Sequence, residues 1–292
     1  MTGTVVRPTR RRRPVARSVR RILWYAVTTA IALVVLYPVV WLFLVTFKPS
    51  SDIIASPSLF SDSPTFDNYT KVFEGVAGIP LWRFALNSTL LSGATVLGTL
   101  ISCSITAYAF ARIRFKGRGI FFALMISTLL LPGHVIMIPQ YILFQRLGLV
   151  DSYVPLLIGD FLATSAFFVF LLVQFLRSIP RELDEAARLD GCGHPRTFFW
   201  VILPLLKPAL VAAGIFSFLR TWNEFLGPLL YINTPEKYPL PLALRLFVDQ
   251  TGTSDFGAEL AMSVVALVPV LLFFLIFQRY ILDGIATQGS KG

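Results

Sequence analysis

The sequence contains few of the residues from which metal sites, disulfide frameworks and soluble surfaces are built. Its 292 residues include two cysteines and two histidines, and only 14% of them are Asp, Glu, Lys or Arg. Cys103 falls in an apolar stretch and Cys192 in a polar loop, so the two thiols are too far apart in depth to pair. The sequence therefore predicts neither a disulfide nor a metal site.

A second absence concerns nucleotides. The chain has no G-x-x-x-x-G-K-S/T segment, the loop whose backbone amides cradle phosphates and whose hydroxyl binds Mg²⁺. If the protein works with ATP, a separate subunit must therefore bind the nucleotide and its metal.

Hydrophobic residues are abundant instead, at 55% of the chain, and the mean hydropathy is +0.70. This composition is typical of a polytopic membrane protein. Six apolar stretches are long enough to cross about 30 Å of hydrocarbon. Because lipid cannot satisfy backbone polar groups, and the stretches are longer than barrel strands, we predict an all-α membrane protein. The six predicted transmembrane helices cover residues 22–47, 84–111, 119–144, 154–176, 208–231 and 258–282.

The basic residues indicate an orientation. With both ends on one side of the membrane, nineteen Lys and Arg lie on that side and six on the other. The positive-inside rule then places both termini in the cytoplasm. We interpret residues 1–21, which carry eight arginines and no acid, as a cytoplasmic anchor beside anionic lipid rather than a nucleic-acid-binding arm. The apolar run that follows is too long for a signal peptide and lacks a cleavage site, so the first helix is expected to stay; residues 283–292 form a second cytoplasmic tail.

A polar segment, residues 178–207, separates the fourth and fifth predicted helices. Pro180 suits a first helical turn and Gly191 suits the position just past a helix end, so residues 181–190 are predicted to form one short helix. Small side chains on one side of it would let another protein approach closely. By i, i+3, i+4 spacing that side carries Leu183, Ala186, Ala187 and Asp190. Many membrane proteins have such a helix, so the pattern alone does not identify a partner.

The same segment contains a motif, Glu185-Ala186-Ala187, then Gly191, then nine residues and Val201-Ile202-Leu203-Pro204. It resembles the EAA loop of binding-protein-dependent ABC importers, whose permease subunits use this loop to dock onto an ATPase subunit. Val201 stands where the family has Ile, and Cys192 where Ala is commoner. The resemblance implies that the ATPase-coupling residues are Glu185, Ala186, Ala187, Asp190, Gly191 and Pro204.

Further segments are similar to the MalG-like permease subunits of the carbohydrate branch. These are Phe47-Lys48-Pro49-Ser50, residues 65–69, 84–89 and 107–112, Trp222-Asn223-Glu224-Phe225, and Gln278-Arg279-Tyr280. The resemblance implies a type I importer fold in the cytoplasmic membrane of a prokaryote. The implied partners are a second permease, two ATPase subunits that use ATP and Mg²⁺, an extracytoplasmic binding protein and membrane lipid, with no nucleic acid. The family's tail reaches the ATPase dimer, a role that would fall to Lys291 and Gly292.

The implied function is that of a transport subunit, not an enzyme, which forms half of the path for a sugar or oligosaccharide. Two alternatives stay open. One is an ABC permease for glycerol phosphate esters or another polyol, for which Arg220 would supply a complementary charge. The other is a membrane-embedded transferase, for which Arg220 with Glu224 and Asp160 are the candidate groups.

Polar residues inside the predicted helices are the candidates for the path, because charges at that depth usually face an interior or a water-filled cavity. Arg220 lies twelve residues into the fifth predicted helix, about 18 Å along it, and Glu224 follows one turn later, so the two are expected to pair. The pair either satisfies itself or lines the path together with Asn223, with Trp222 offering an aromatic face to a sugar ring.

Two further polar residues are less defined. His134 follows Pro132-Gly133 and is expected to form a buried hydrogen bond near a kink, and it is included among the candidate path residues. Asp160 sits near the outer end of the fourth predicted helix, where a wet helix end and a cavity group are equally compatible with the sequence.

Overall fold

The computed structural model describes residues 14–55, 58, 61, 63–251 and 255–289, without the side chains of residues 14–18, 54, 134, 250–251 and 279–289. Every helix or strand that it assigns in these ranges is helical. Lys291, Gly292 and most of the predicted basic tail lie outside the described residues.

In chain order the α-helices are α1 (Pro14–Val45), α2 (Ser50–Ala55), α3 (Asp67–Glu74), α4 (Leu81–Arg112), α5 (Arg118–Ser127), α6 (Gly133–Arg146), α7 (Val154–Phe161), α8 (Ala166–Ser178), α9 (Glu182–Leu189), α10 (His194–Arg196), α11 (Leu203–Leu205), α12 (Lys207–Trp222), α13 (Leu226–Tyr231), α14 (Leu240–Thr251) and α15 (Phe256–Gly289).

Four stretches of the described chain are long and apolar enough to cross a membrane: Val19–Val45, Leu81–Arg112, Val154–Ser178 and Phe256–Gln278. Two bent pairs meet the same test together. Arg118–Leu130 meets Val135–Arg146 at 103°, and His194–Leu205 meets Lys207–Trp222 at 76°. Counting each bent pair as one crossing gives six, the predicted number, although the second pair begins within the polar segment 178–207 rather than at residue 208.

The third predicted helix, residues 119–144, is wrong as a continuous helix. The structure ends its first part in a short 3-10 segment, Thr128–Leu130, and starts α6 at Gly133. Pro132 lies between the two parts with extended backbone. Proline has no N–H to donate and its ring clashes with the preceding turn, so a helix does not pass through it undisturbed.

The fifth predicted helix, residues 208–231, is also wrong as one element, because α12 ends at Trp222 and α13 begins at Leu226. Two polar side chains occupy the break. Asn223 Nδ2 donates to the Leu219 carbonyl over 2.8 Å, and Glu224 Oε1 accepts from the Gly227 N–H over 3.0 Å. The bond from the Gly227 N–H satisfies a backbone group that the break frees, which is how an interrupted helix is tolerated at membrane depth.

Helix α4 lies at the centre of the bundle and packs against α7, α8 and α12. Small residues allow the close approach: a Cβ on Gly98 would lie 2.7 Å from the Phe161 ring of α7. Two cores form along α4, one around Cys103 and Ala107 and one around Phe84. Helix α1, by contrast, buries none of its apolar window within the chain.

The two ends of the bundle are formed by different helices and different polar contacts. The α9 end carries α9 and the last turn of α4, which meet through Arg112 and Asp184. The opposite end carries α14 and the first turns of α4, where Asn87 bonds to the segment before α14. Each end holds polar groups that a hydrocarbon core excludes, so these are the two faces available to soluble partners.

Candidate functional site

The predicted short helix is present as α9, Glu182–Leu189, one residue shorter at each end than predicted. It ends where the sequence indicates, at Gly191, whose φ of +79° is in the left-handed region. The Gly191 N–H donates to the Arg188 carbonyl over 3.0 Å and the Cys192 N–H to the Ala187 carbonyl over 2.9 Å. A left-handed residue therefore closes the helix and turns the chain toward α10, and Gly191 fills that position without a Cβ penalty.

The exposed face of α9 is not quite the predicted one. Glu185, Ala186 and Asp190 are exposed, as a docking surface requires, and Leu189 is 90% exposed. Ala187 is buried at 6% exposure and faces the bundle, which corrects its placement on the docking side. The reason is Asp184, one turn earlier, whose ion pair with Arg112 turns that side of the helix inward.

Pro204, the remaining coupling residue of the sequence, lies in α11 at the end of the same loop. It is exposed and lines an apolar cavity of about 420 Å³ together with residues of α4 and with Lys207. Between α9 and α11 the chain forms α10 and a π-helical stretch, Thr197–Ile202, so the loop is helical over most of its length. The sequence predicted only the first of these helices.

Arg220 does not pair with Glu224, so that expectation is wrong. Its Nη2 donates to Asp160 Oδ1 of α7 over 2.6 Å, and Glu224 instead accepts from the Gly227 backbone. The Asp160 side chain is 10% exposed and that of Arg220 is 48% exposed. The guanidinium carbon lies 5.6 Å from the centre of the Phe168 ring, within cation–π range. Asp160 is therefore a buried, ion-paired group rather than a solvated helix end.

Three hydroxyl residues that the sequence analysis missed complete this polar cluster. Thr99 Oγ1 donates to Asp160 Oδ1 over 3.3 Å, and Ser217 Oγ donates to Thr99 over 3.2 Å. Ser102 Oγ donates to the Asp160 carbonyl over 2.5 Å. The cluster thus joins α4, α7 and α12 halfway along α4. A signal existed in the sequence, because Thr99 and Ser102 are hydroxyl residues within an apolar helix.

The other candidate path residues differ in burial. Trp222 is 4% exposed, stacks on Phe218 at 5.4 Å and donates to the Ala266 carbonyl over 3.4 Å, so it is a core residue and does not face a path. Asn223 is exposed and Glu224 half-buried, one turn beyond Arg220. His134 lies at the start of α6, and its side chain is outside the described part of the structure.

At the opposite end, Asp151 fastens the segment before α14 to the segment before α7. Its carboxylate accepts from the N–H groups of Asn233 and Thr234, from the Thr234 hydroxyl, and from Lys237 Nζ at 2.8 Å. Lys237 and then Thr234 hold the pKa of Asp151 below its usual range. Because charge-assisted bonds of this kind are the stronger ones, Asp151 ties these two segments together.

An apolar helical bundle with a polar cluster at mid-depth, and with a short exposed helix at one end, defines a membrane protein that is built to contact other subunits. The chain belongs to the family described as binding-protein-dependent transport system inner membrane component, whose model matches residues 1–286.

Two curated relatives extend over nearly the whole chain. The arabinooligosaccharides transport system permease protein AraQ of Halalkalibacterium halodurans is 34% identical over 265 residues, which are 90% of this chain and 93% of the relative. The galactooligosaccharides transport system permease protein GanQ of Bacillus subtilis is 31% identical over 281 residues, 95% of this chain and 98% of the relative.

The fold is that of an ABC importer permease. A solved chain from a bacterial ABC transporter involved in the import of the acidic polysaccharide alginate superposes with a TM-score of 0.77 and 24% identity. The match covers 93% of this chain and 99% of that one. The predicted fold class is thereby confirmed at the level of architecture.

Proposed function

We propose that this chain is the permease subunit of an ATP-driven importer and forms half of the path for a sugar or oligosaccharide. The observation that carries the proposal is the similarity, over nine-tenths of the chain, to permeases named for arabino- and galactooligosaccharides. The second half of the path would come from a homologous permease. The unburied window of α1 supports such a partner, since an apolar helix that packs on little of its own chain is available to a second subunit or to lipid.

The α9 end is the coupling end in this proposal and faces the cytoplasm, in keeping with the positive-inside rule. The exposed Glu185 and Ala186 of α9 meet the ATPase subunit, and Gly191 and Pro204 shape the loop that presents them. Lys291 and Gly292 would reach the same subunit. ATP and Mg²⁺ belong to that partner, so this chain carries out no chemistry of its own.

The opposite end, fastened by Asp151, receives solute from the extracytoplasmic binding protein. The half-exposed Arg220 and the exposed Asn223 are the groups that would donate hydrogen bonds to sugar hydroxyls. Because Asp160 lies 2.6 Å from Arg220, the pair has no net charge, which favours a neutral solute over an anion.

A second candidate is a permease for glycerol phosphate esters. The 48% exposure of the Arg220 side chain favours it, since a phosphate oxygen could replace Asp160 as the partner of the guanidinium. The transferase alternative finds less support, because Glu224 is engaged as a backbone acceptor and Asp160 is bound by Arg220 and Thr99.

Competition for uptake separates the two solute classes. Cells that carry the intact importer would be given a labelled neutral arabino- or galactooligosaccharide, with excess unlabelled neutral oligosaccharide or excess glycerol phosphodiester as competitor. We expect the neutral competitor to suppress uptake in proportion to its excess, because it occupies the same site, and the diester at the same concentration to leave uptake unchanged. Suppression by the diester alone would overturn the carbohydrate assignment in favour of the second candidate.

A further inference from the structure

Helix α4 differs from the other membrane-length helices of the described chain in having neither a proline nor a break. Proline lies inside α1 at Pro38 and inside α15 at Pro269, and the stretch Val154–Ser178 is interrupted between α7 and α8. The 32 residues of α4 give a rod of about 48 Å. One continuous helix therefore joins the two ends of the bundle.

Polar contacts connect α4 to other elements at three positions along its length. At the α9 end, Arg112 contacts Asp184 and the Ile179 carbonyl. Halfway along, Thr99 and Ser102 bond to Asp160 in the cluster that contains Arg220. At the opposite end, three side chains of α4 bond to the segment before α14. These are Arg83 and Asn87, which donate to backbone carbonyls, and Ser88, which accepts from the Leu240 N–H at 2.7 Å.

The contact at the α9 end is a buried ion pair between Arg112 and Asp184. The side chains of Arg112 and Asp184 are 5% and 11% exposed, and Nε and Oδ2 lie 3.3 Å apart. Neither of these two atoms has a hydrogen-bond partner in the described residues. The attraction between their opposite charges is therefore what offsets the cost of burying them. Arg112 Nη2 also donates to the Ile179 carbonyl, just before α9, over 2.7 Å.

Separating α9 from α4 would break both the buried ion pair and the hydrogen bond from Arg112 to the Ile179 carbonyl. The two helices should therefore move as one body. We propose that the Arg112–Asp184 pair is the link through which α9 moves α4, so that events at the ATPase reach the polar cluster around Arg220. The inference rests on the proposed function, and it makes Arg112 and Asp184 positioning residues that touch neither nucleotide nor solute.

The chain offers a matched control for this pair. Arg114 is the same residue type two positions later and lines the same cavity of about 370 Å³ beside α9. It is exposed, and the described residues give it no salt bridge. A general loss of positive charge at this end would affect both arginines, whereas loss of the link would affect Arg112 alone.

The test measures movement near the path without needing the solute. Phe216 is exposed on the same face of α12 as Arg220, one turn earlier. In the assembled importer, with Cys103 and Cys192 replaced by alanine, Phe216→Cys would report the rate of reaction with a water-soluble maleimide. The probe is Mg-ATP with vanadate, added to the complex in lipid nanodiscs. We expect the parent rate to change about fivefold or more on addition of the nucleotide, the size of an ordinary coupling between sites.

Arg112→Ala and the isosteric Asp184→Asn should abolish this nucleotide-dependent change, while ATP hydrolysis stays within about twofold of the parent, because the docking face is untouched. Arg112→Lys keeps a cation and should retain part of the change, and Arg114→Ala should retain all of it. A full change in Arg112→Ala or Asp184→Asn would overturn the proposal. Loss of the ATPase from Asp184→Asn would also overturn it, because the pair would then hold the docking face rather than transmit movement. A parent complex that never binds an ATPase would contradict the proposed function itself.

Discussion

Replacing Glu185 by arginine is expected to remove the ATPase subunit from the purified complex. Glu185 is exposed on α9 and the described residues give it no salt bridge, so its carboxylate is free to meet a partner. Reversing one charge of a buried interfacial pair costs about 2–5 kcal/mol. This corresponds to about 30- to 4,000-fold weaker binding. The measurement is the ratio of ATPase to permease after affinity purification, together with ATP hydrolysis by the complex.

Glu182→Arg is the control for that substitution. Glu182 has the same charge, lies on the same helix and is also exposed, so it reproduces any effect on helix stability or net charge. We expect Glu182→Arg to keep the ATPase at close to the parent ratio. Equal retention of the ATPase by Glu185→Arg would contradict the role given to α9, and equal loss in both variants would assign the effect to charge rather than to position.

The second large effect is expected from the Arg220–Asp160 pair, and it requires three variants. Asp160→Leu leaves Arg220 without its partner at membrane depth. We expect a loss of stability of about 3 kcal/mol, the order measured for an arginine at the centre of a transmembrane helix. Arg220→Leu leaves a carboxyl group that is 10% exposed, and we expect a smaller penalty because the Thr99 hydroxyl still donates to it. The measurement is thermal unfolding in detergent.

The double variant, Arg220→Leu with Asp160→Leu, separates structure from transport. Both charges are gone, so stability should recover to within about 1 kcal/mol of the parent, as apolar replacements of buried pairs generally do. Uptake of labelled oligosaccharide should nevertheless stay at least tenfold below the parent, because the path has lost its donor group. Normal uptake by a stable double variant would show that the pair is structural and that Arg220 does not line the path.

Part of this architecture can be predicted because it depends on local sequence. Helix α4 follows from a long apolar run, and α9 from Pro180 and Gly191, the residues that suit its two ends. The break after α5 coincides with Pro132-Gly133, where the sequence indicates a kink, whereas the break after α12 is harder to predict. Apolar residues continue on both sides of that second break, and the Gly227 N–H that becomes free is satisfied by a single side chain, Glu224.

The site is predictable to a similar degree. The residues of the coupling motif all lie between Glu185 and Pro204, and α9 presents Glu185 and Ala186 outward as a motif of this kind requires. The partner of Arg220 is not local: Asp160 is 60 residues away, whereas Glu224 offered a plausible pair one turn along the same helix. Ala187 and Trp222 were misplaced for the same reason. Helical spacing shows which residues share a face but not what that face meets.

The most direct test of the account is the composition of the complex that contains this chain. The chain would be purified from its native membrane in mild detergent, and stoichiometric companions would be identified and quantified by mass spectrometry. The account predicts one homologous permease and two copies of an ATPase subunit for each copy of this chain. Recovery of the chain alone or as a homomer, in several detergents, would contradict the importer assignment and with it the coupling role of α9.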